Sequence, residues 1–162
     1  MKKVFLGLGS NMGDREALLL QALKMIESEL GAISSVSSLY ESEALGFEGD
    51  KFLNIVVCTE SSLSPSGLIG RILMIESKLG RIRCESRYTS RTIDVDILFI
   101  DNEVINNDSL TIPHPRLHLR RFVLEPLNEI APKLVHPVIG KDINQLLEEC
   151  SDTSMVNIFK SL

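Results

Sequence analysis

The sequence has few of the features that mark membrane, secreted or zinc-binding proteins. No run of 18 apolar residues occurs, and the opening MKKVFLGLGS has too few apolar residues before its glycines to form a signal-peptide core. The three cysteines, Cys58, Cys84 and Cys150, are widely spaced and form no C-x-x-C pair. Neither a disulfide framework nor a zinc site is indicated. We therefore expect a cytoplasmic protein without membrane contact, whose thiols are free in a reducing compartment.

A surplus of basic residues and a high aromatic content are also absent. The formal net charge is −5, and aromatic residues make up 5% of the chain. A general nucleic-acid binder usually carries a basic surplus, and a sheet that binds RNA displays several aromatic side chains. The composition therefore argues against a nucleic-acid partner. No internal repeat or low-complexity tract divides the chain, and its length suits one domain, residues 1–162.

The common phosphate-binding motifs are missing too. No G-x-x-x-x-G-K-[ST] sequence occurs, which excludes a P-loop kinase. The segment GLGSNMG spaces its glycines as G-x-G-x-x-x-G, and the chain lacks the alternating β-α-β units of a dinucleotide-binding fold. We interpret Gly7, Gly9 and Gly13 as turn and close-packing glycines. Any phosphate site must therefore be built from other residues.

Hydrophobic periodicity and capping residues predict six elements. Apolar runs typical of strands occupy residues 3–8, 32–42, 51–61 and 91–100, and helical stripes occupy residues 15–30 and 64–80. Ser64 as N-cap, Pro65 in the first turn and Gly80 after the last turn delimit the second helix. The order β-α-β-β-α-β predicts an α+β, ferredoxin-like antiparallel sheet with both helices on one face. A C-terminal extension follows, with short helices over 126–131 and 142–150.

The last of these strands, RTIDVDILFI, contains Asp94 and Asp96 among apolar residues. Strand alternation predicts one face with Ile93, Val95, Ile97 and Phe99, and the other with Asp94, Asp96, Leu98 and Ile100. The two aspartates are then roughly 7 Å apart at Cα, and each carboxylate opposes ionisation of the other. A bound cation would relieve this, and hard oxygen donors suit Mg²⁺. The alternative is an edge strand whose polar face is in water.

A cluster of arginines precedes the aspartates. The segment GRIRCESRYTSR carries Arg81, Arg83, Arg87 and Arg91 but only one acidic residue. Arginine pairs bidentately with phosphate oxygens, and phosphoryl transfer depends on positioning and charge neutralisation. The combination predicts a site for metal-bound polyphosphate, and the alternative is a solvated charged loop.

Two further segments suggest the walls of a pocket. Phe52 and Asn54 are two residues apart on a predicted strand, so they share a face that offers a ring and an amide. This pair suits a flat, nitrogen-rich heterocycle, and the alternative is a core phenylalanine beside a polar edge residue. The segment IPHPRLHLRRFVL, which includes His114, Arg120 and Phe122, is a second basic stretch that could line the phosphate site.

The sequence as a whole resembles a known family, the 6-hydroxymethyl-7,8-dihydropterin pyrophosphokinases. The signature-like segment is RYTSRTIDVDIL, and LGLGSNMGDRE, SSLYESEALG, FLNIVV, ESKLGRIR and IPHPRLHLRRFVLEPL occur in the matching order. Only about the last twenty residues carry no recognisable pattern. The resemblance implies a ferredoxin-like fold and transfer of pyrophosphate from ATP to the pterin's hydroxymethyl oxygen, with release of AMP, in folate biosynthesis.

The resemblance also implies roles for individual residues. Asp94 and Asp96 would hold two Mg²⁺ ions, and these aspartates with Arg81 and Arg91 would form the catalytic set. Further residues would bind ATP: Arg83, Tyr88, Ile97, Thr111, His114 and Arg120. The pterin would lie among Ser42, Leu45, Phe52, Asn54, Glu76 and Phe122. The partners expected are therefore these two substrates alone, and the protein is expected to be a monomer.

The chain departs from the family pattern at two places. Tyr88-Thr89-Ser90 replaces the usual Trp-Gly-Pro. Ala44, with Glu43 before it, replaces the usual proline before the Leu-Gly pair. Neither change touches the aspartates, Arg81 or Arg91. Two other functions stay open from the residues themselves: a non-catalytic ferredoxin-like module that binds RNA or a small nucleotide, and a metal-dependent phosphohydrolase built on Asp-x-Asp.

Overall fold

The computed structural model describes residues 1–43, 50–80 and 93–162. Its elements follow in chain order: β1 (Lys2–Ser10), α1 (Arg15–Glu29), β2 (Ile33–Val36), β3 (Leu39–Ser42), β4 (Phe52–Ser61), α2 (Pro65–Lys78), β5 (Asp94–Ile100), β6 (Ile105–Asn106), β7 (Thr111–Ile112), α3 (Arg121–Ile130), α4 (Ile143–Glu148) and β8 (Val156–Lys160). The main sheet has the order β5-β1-β4-β3-β8, β2 also pairs with β4, and all pairings are antiparallel. The predicted α+β, ferredoxin-like fold is confirmed.

Local signals in the sequence set the ends of the first two helices. Asp14 accepts a hydrogen bond from the backbone N–H of Ala17 at 3.1 Å, and Ser64 accepts one from Gly67 at 3.1 Å. These caps satisfy N–H groups that a helix cannot pair internally. Gly31 follows α1 with φ +151°, and a Cβ there would lie 1.8 Å from the carbonyl oxygen of Glu60. Glycine is required at this position because β4 approaches it so closely.

The sheet is covered on both faces. Helices α1 and α2 pack on one face in a first core cluster, whose fully buried members include Leu6, Leu19, Ile26, Ile55 and Ile75. Helices α3 and α4 cover part of the other face in a second cluster, with Phe5, Phe99, Leu124, Leu127 and Leu146. The prediction that the first two helices share one face is therefore confirmed. Helices α3 and α4, which belong to the C-terminal extension, thus form a second helical layer.

The predicted alternation along β5 is wrong beyond Leu98. Phe5 pairs with Phe99 whereas the next residue, Leu6, pairs with Ile97, so Leu98 is an extra residue in a β-bulge. Phe99 therefore lies with Leu98 in the second cluster, and Ile100 returns to the first. The aspartates precede the bulge, and their shared face is unaffected.

Three other boundaries differ from the predictions. Residues 32–42 form two strands, β2 and β3. Between them the backbone N–H of Ser37 donates to the carbonyl oxygen of Val56 at 2.9 Å, but the Ser37 hydroxyl accepts from the N–H of Val56 at 3.0 Å. The helix predicted over 126–131 spans Arg121–Ile130 and contains Pro126. The last residues, which carried no pattern, form β8 against β3. None of the described helices combines the length and apolar character needed to cross a bilayer.

Candidate active site

Polar residues from strands β3, β4 and β5 lie on the sheet face opposite α1 and α2. Two rows of directly paired residues cross this face: Asp94–Gly9–Asn54 and Asp96–Gly7–Val56. Residues paired in an antiparallel ladder point to the same side of the sheet. The carboxylates on β5 and the amide on β4 are thus two strands apart, roughly 10 Å. Phe52 shares this face, two residues before Asn54.

The strip between the carboxylates and the amide carries no side chains. Gly7 and Gly9 lie within β1, so their interpretation as turn glycines is wrong, whereas Gly13 lies in the turn with φ +68°. A Cβ on Gly9 would be 3.1 Å from Oδ1 of Asn54 and 3.4 Å from Cδ1 of Phe52. The close-packing role is therefore correct for Gly9. Together the two glycines form the floor of a channel across the sheet, and the side chain of Leu98 lies 3.5 Å from where a Cβ on Gly7 would be.

This channel is part of a cavity of about 650 Å³ that also wraps around the outer edge of β5. Eleven of the sequence-predicted site residues line it: Ser42, Phe52, Asn54, Glu76, Asp94, Asp96, Ile97, Thr111, His114, Arg120 and Phe122. The other predicted residues, Leu45, Arg81, Arg83, Tyr88 and Arg91, lie outside the described residues. The fold thus brings together side chains from residue 42 to residue 122.

A short hydrogen bond orients the amide of Asn54. Its Nδ2 donates to the hydroxyl of Ser42 at 2.6 Å, and both side chains are buried. Ser42 pairs with Phe52 across the β3–β4 ladder, so the three residues form one unit. The amide can then offer its carbonyl oxygen and a second N–H to a ligand lying beside Phe52. That pattern suits the edge of a heterocycle with adjacent donor and acceptor atoms.

Helix α3 carries Phe122, which also lines the cavity. The guanidinium carbon of Arg120 lies 5.7 Å from the centre of the Phe122 ring, a distance typical of a cation–π contact. Farther along the helix, Glu129 accepts hydrogen bonds from the N–H of Ser38 at 3.0 Å and from the hydroxyl of Tyr40 at 2.6 Å. Burial and the Glu129 carboxylate raise the pKa of Tyr40. These contacts fix α3, and with it Phe122, against the sheet.

His114 is a neutral donor beside the aspartates. Burial lowers the pKa of His114 to about 4, with the cations Arg120 and Arg116 acting in the same direction and Asp94 opposing them. Its Nδ1 accepts the backbone N–H of Arg116 at 3.1 Å. The imidazole proton is therefore on Nε2 at neutral pH, where it can be donated to an anionic ligand without adding positive charge.

We expect His114 to titrate near pH 4 in the ligand-free protein, well below the ordinary value of about 6.5. Between these values the unfolded chain binds a proton that the folded chain does not, so the free energy of unfolding falls as the pH is lowered through this window. An NMR titration of the imidazole measures the midpoint, and His114→Gln should show a smaller loss of stability between pH 7 and pH 5. A midpoint at 6.5 or above would contradict the assigned environment.

The donor set fits a hard divalent cation. Among residues 1–43, 50–80 and 93–162, no group of three or more His, Cys, Asp or Glu side chains could hold a metal. An ion at Asp94 and Asp96 would therefore need oxygen ligands from elsewhere. Mg²⁺ is usually bound in this way, by one or two carboxylates together with substrate phosphates and waters. Gly7 and Gly9 line the same cavity as both carboxylates.

Sequence reasoning missed part of the site. Gly7 and Gly9 alternate with leucines in the segment LGLG, residues 6–9, and two glycines at this spacing in a strand indicate a strip without side chains on one face. Residues 107–110 also line the cavity, where Oδ1 of Asn107 accepts from the N–H groups of Ser109 and Leu110. The composition of residues 107–110 is typical of a turn. The sequence alone does not show that this turn lies beside Thr111 and the aspartates.

The sequence is similar to one family of known proteins. Residues 5–132 match the family model described as 7,8-dihydro-6-hydroxymethylpterin-pyrophosphokinase (HPPK). The 2-amino-4-hydroxy-6-hydroxymethyldihydropteridine pyrophosphokinase of Aquifex aeolicus is 41% identical over 150 residues, covering 92% of each chain. The enzyme of the same name from Haemophilus influenzae is 38% identical over 160 residues, covering 98% of this chain and 99% of its own.

Solved structures resemble the fold. A structure of HPPK-DHPS in complex with substrates has a TM-score of 0.75 at 17% identity and covers 91% of this chain. A Plasmodium falciparum HPPK-DHPS structure with pteroate has a TM-score of 0.74 at 19% identity, again over 91% of this chain. The chain spans only 43% and 42% of those two solved chains. At such identities the likeness concerns the fold alone.

Proposed function

The chain belongs to the 7,8-dihydro-6-hydroxymethylpterin pyrophosphokinase family, and we propose that its channel seats the pterin at one end and the triphosphate at the other. The enzyme transfers pyrophosphate from ATP to the hydroxymethyl group of 6-hydroxymethyl-7,8-dihydropterin in folate biosynthesis, giving AMP and the pterin diphosphate. The observation that carries the proposed arrangement is the pair of rows in which Gly7 and Gly9 separate two carboxylates from an amide.

The β4 end of the channel is proposed to bind the pterin. Phe52 and Phe122 enclose the ring from two sides, and Asn54, held by Ser42, hydrogen-bonds its edge. Leu45 completes this pocket by resemblance to the family. The hydroxymethyl group would then project over Gly9 towards the aspartates. Because glycine has no side chain, nothing on β1 obstructs its path.

The β5 end is proposed to bind ATP. His114 donates its Nε2 proton to a phosphate, and Arg120 adds a positive charge nearby. The N–H of Val95 points away from β1, and residues two apart in a strand point their backbone groups the same way. The backbone of Ile97 is therefore available at the outer edge for the nucleotide base, beside Thr111. Arg83 and Tyr88 are assigned to ATP by resemblance.

Asp94 and Asp96 are proposed to hold two Mg²⁺ ions together with the phosphates. When bound, such ions neutralise phosphate charge and make the β-phosphorus more electrophilic. Asp94 accepts the proton of the pterin hydroxyl as that oxygen bonds to the β-phosphorus, and the bond from this phosphorus to the α,β-bridging oxygen breaks to release AMP. Arg81 and Arg91 are assigned to the transferring group, whose developing charge a guanidinium stabilises.

A coupled assay tests the proposed reaction. Protein with Mg²⁺ and ATP should form AMP only after 6-hydroxymethyl-7,8-dihydropterin is added, in equal amount to the pterin diphosphate. A phosphohydrolase would release phosphate from ATP alone, and a binding module would form no product with either addition. Either of those results would contradict the function.

Gly9→Ala provides a test of the channel floor. The added Cβ would crowd Oδ1 of Asn54 and the ring of Phe52, so we expect the KM for the pterin to rise about tenfold, the loss of roughly one hydrogen bond. The dissociation constant for ATP should stay within twofold. Gly70→Ala is the matched control, since a Cβ there meets nothing within 4 Å and favours helix. An unchanged pterin KM in Gly9→Ala would show that the floor is not close-packed.

A further inference from the structure

Helix α2 buries one carboxylate that the proposed chemistry does not use. Glu76 is 2% exposed and follows Ile75 on the face of α2 that packs on the sheet. A buried carboxylate is costly unless hydrogen bonds compensate for lost water. Its Oε2 accepts the backbone N–H of Val95 at 2.9 Å. The resemblance assigned Glu76 to the pterin, yet this contact is on β5, two strands from Phe52 and Asn54.

The contact is made at the edge of the strand that carries the aspartates. Among the described residues β5 pairs only with β1, so one side of this strand has no neighbouring strand. On that side Val95 donates to Glu76, and the carbonyl oxygen of Leu98 accepts the backbone N–H of His114 at 3.0 Å. The outer edge is thus held at two points, with Asp96 between them.

We infer that Glu76 is a positioning residue that fixes the backbone from which Asp94 and Asp96 project. Val95 is bonded covalently to both, so any rotation about its backbone moves both carboxylates. An edge strand held by a single ladder frays more readily than a central strand, and a misplacement of about 1 Å at a reacting centre can cost a hundredfold in rate. This inference rests on the proposed metal role of the two aspartates.

The positioning role requires an acceptor at Glu76 but not a charge. A role as a metal ligand would require the charge, and a direct contact to a substrate would change the KM for that substrate. Glu76→Gln keeps an acceptor oxygen on a side chain of equal length, whereas Glu76→Met keeps the length and removes the acceptor. The two variants therefore separate the explanations without opening a cavity. Glu27→Gln and Glu27→Met, at an exposed helical position on α1, are the matched controls.

The experiment measures amide hydrogen exchange at Val95 in the ligand-free protein and the Mg²⁺ dependence of turnover. We expect Glu76→Met to expose the Val95 amide to exchange, to lower kcat at least tenfold and to raise the Mg²⁺ concentration for half-maximal rate, with the pterin KM within about twofold. Glu76→Gln should keep the Val95 amide protected and kcat within about threefold of the parent. If Glu76→Met does not fold, Glu76→Asp, whose side chain is one methylene shorter, gives the same comparison.

Two results would overturn the inference. One is a Glu76→Gln variant that keeps Val95 protected yet is as slow as Glu76→Met, because the charge would then be what matters. The other is a Glu76→Met variant with an exchanging Val95 amide and an unchanged Mg²⁺ dependence. Asp96→Asn, run in parallel, distinguishes these from failure of the proposed function. Normal turnover in Asp96→Asn would remove the metal role itself, whatever Glu76 does.

Discussion

Asp96→Asn is expected to lower kcat by about a thousandfold while the protein stays folded, because the divalent cation proposed for this site would supply several kcal/mol of transition-state stabilisation. Asparagine has the shape of aspartate but not its charge, so packing in the Asp96–Gly7–Val56 row is preserved. Circular dichroism and thermal unfolding should match those of the parent. Single-turnover measurement of AMP formation separates the chemical step from binding and product release.

Asp101→Asn is a suitable control for this substitution. Asp101 follows β5 directly, and its carboxylate accepts the backbone N–H of Lys3 at the opposite end of the strand from the cavity. This variant removes the same charge from the same segment, and we expect turnover within about threefold of the parent. Near-normal turnover in Asp96→Asn would refute the metal assignment.

Asn54→Leu is expected to lower kcat/KM for the pterin by at least a hundredfold. The substitution keeps the number and branching of the side-chain heavy atoms but leaves the hydroxyl of Ser42 and the polar edge of the heterocycle without their partner. Sites built to hydrogen-bond a ligand discriminate strongly because the unpaired polar groups are buried. Binding of Mg²⁺-ATP, which we propose takes place at the β5 end, should be unchanged when measured by calorimetry.

Ser42→Ala separates the contribution of the orientation of the Asn54 amide from that of the amide itself. It removes the contact that orients the amide but leaves the amide in place, so we expect a loss of about tenfold in pterin kcat/KM. Equal losses in Ser42→Ala and Asn54→Leu would indicate that orientation accounts for the whole contribution. A large loss of ATP binding in either variant would contradict the division of the channel into two ends.

Local signals predicted much of the fold and of the site. The cap at Ser64, the proline beside it and the period of α2 depend on residues near one another in sequence, and the structure confirms them. The shared face of Phe52 and Asn54, and that of Asp94 and Asp96, follows from strand alternation alone. These features required no knowledge of distant partners.

The features that were missed depend on tertiary contacts. The bulge at Leu98 reflects how β5 fits against β1, and the contact of Glu76 with Val95 joins residues 19 positions apart on different elements. β8 forms only because β3 offers it an edge, and its own sequence carries no strand pattern strong enough to predict it. The donor state of His114 depends on burial created by the complete fold.

Paramagnetic NMR with Mn²⁺ in place of Mg²⁺ tests the central claim most directly. The sample contains the pterin and an ATP analogue with a methylene at the α,β-bridge, so that no transfer occurs. We predict strong broadening of the amide resonances of Gly7, Gly9 and Val95, and its loss in Asp96→Asn. Broadening centred on another part of the protein, or unchanged broadening in that variant, would contradict the account.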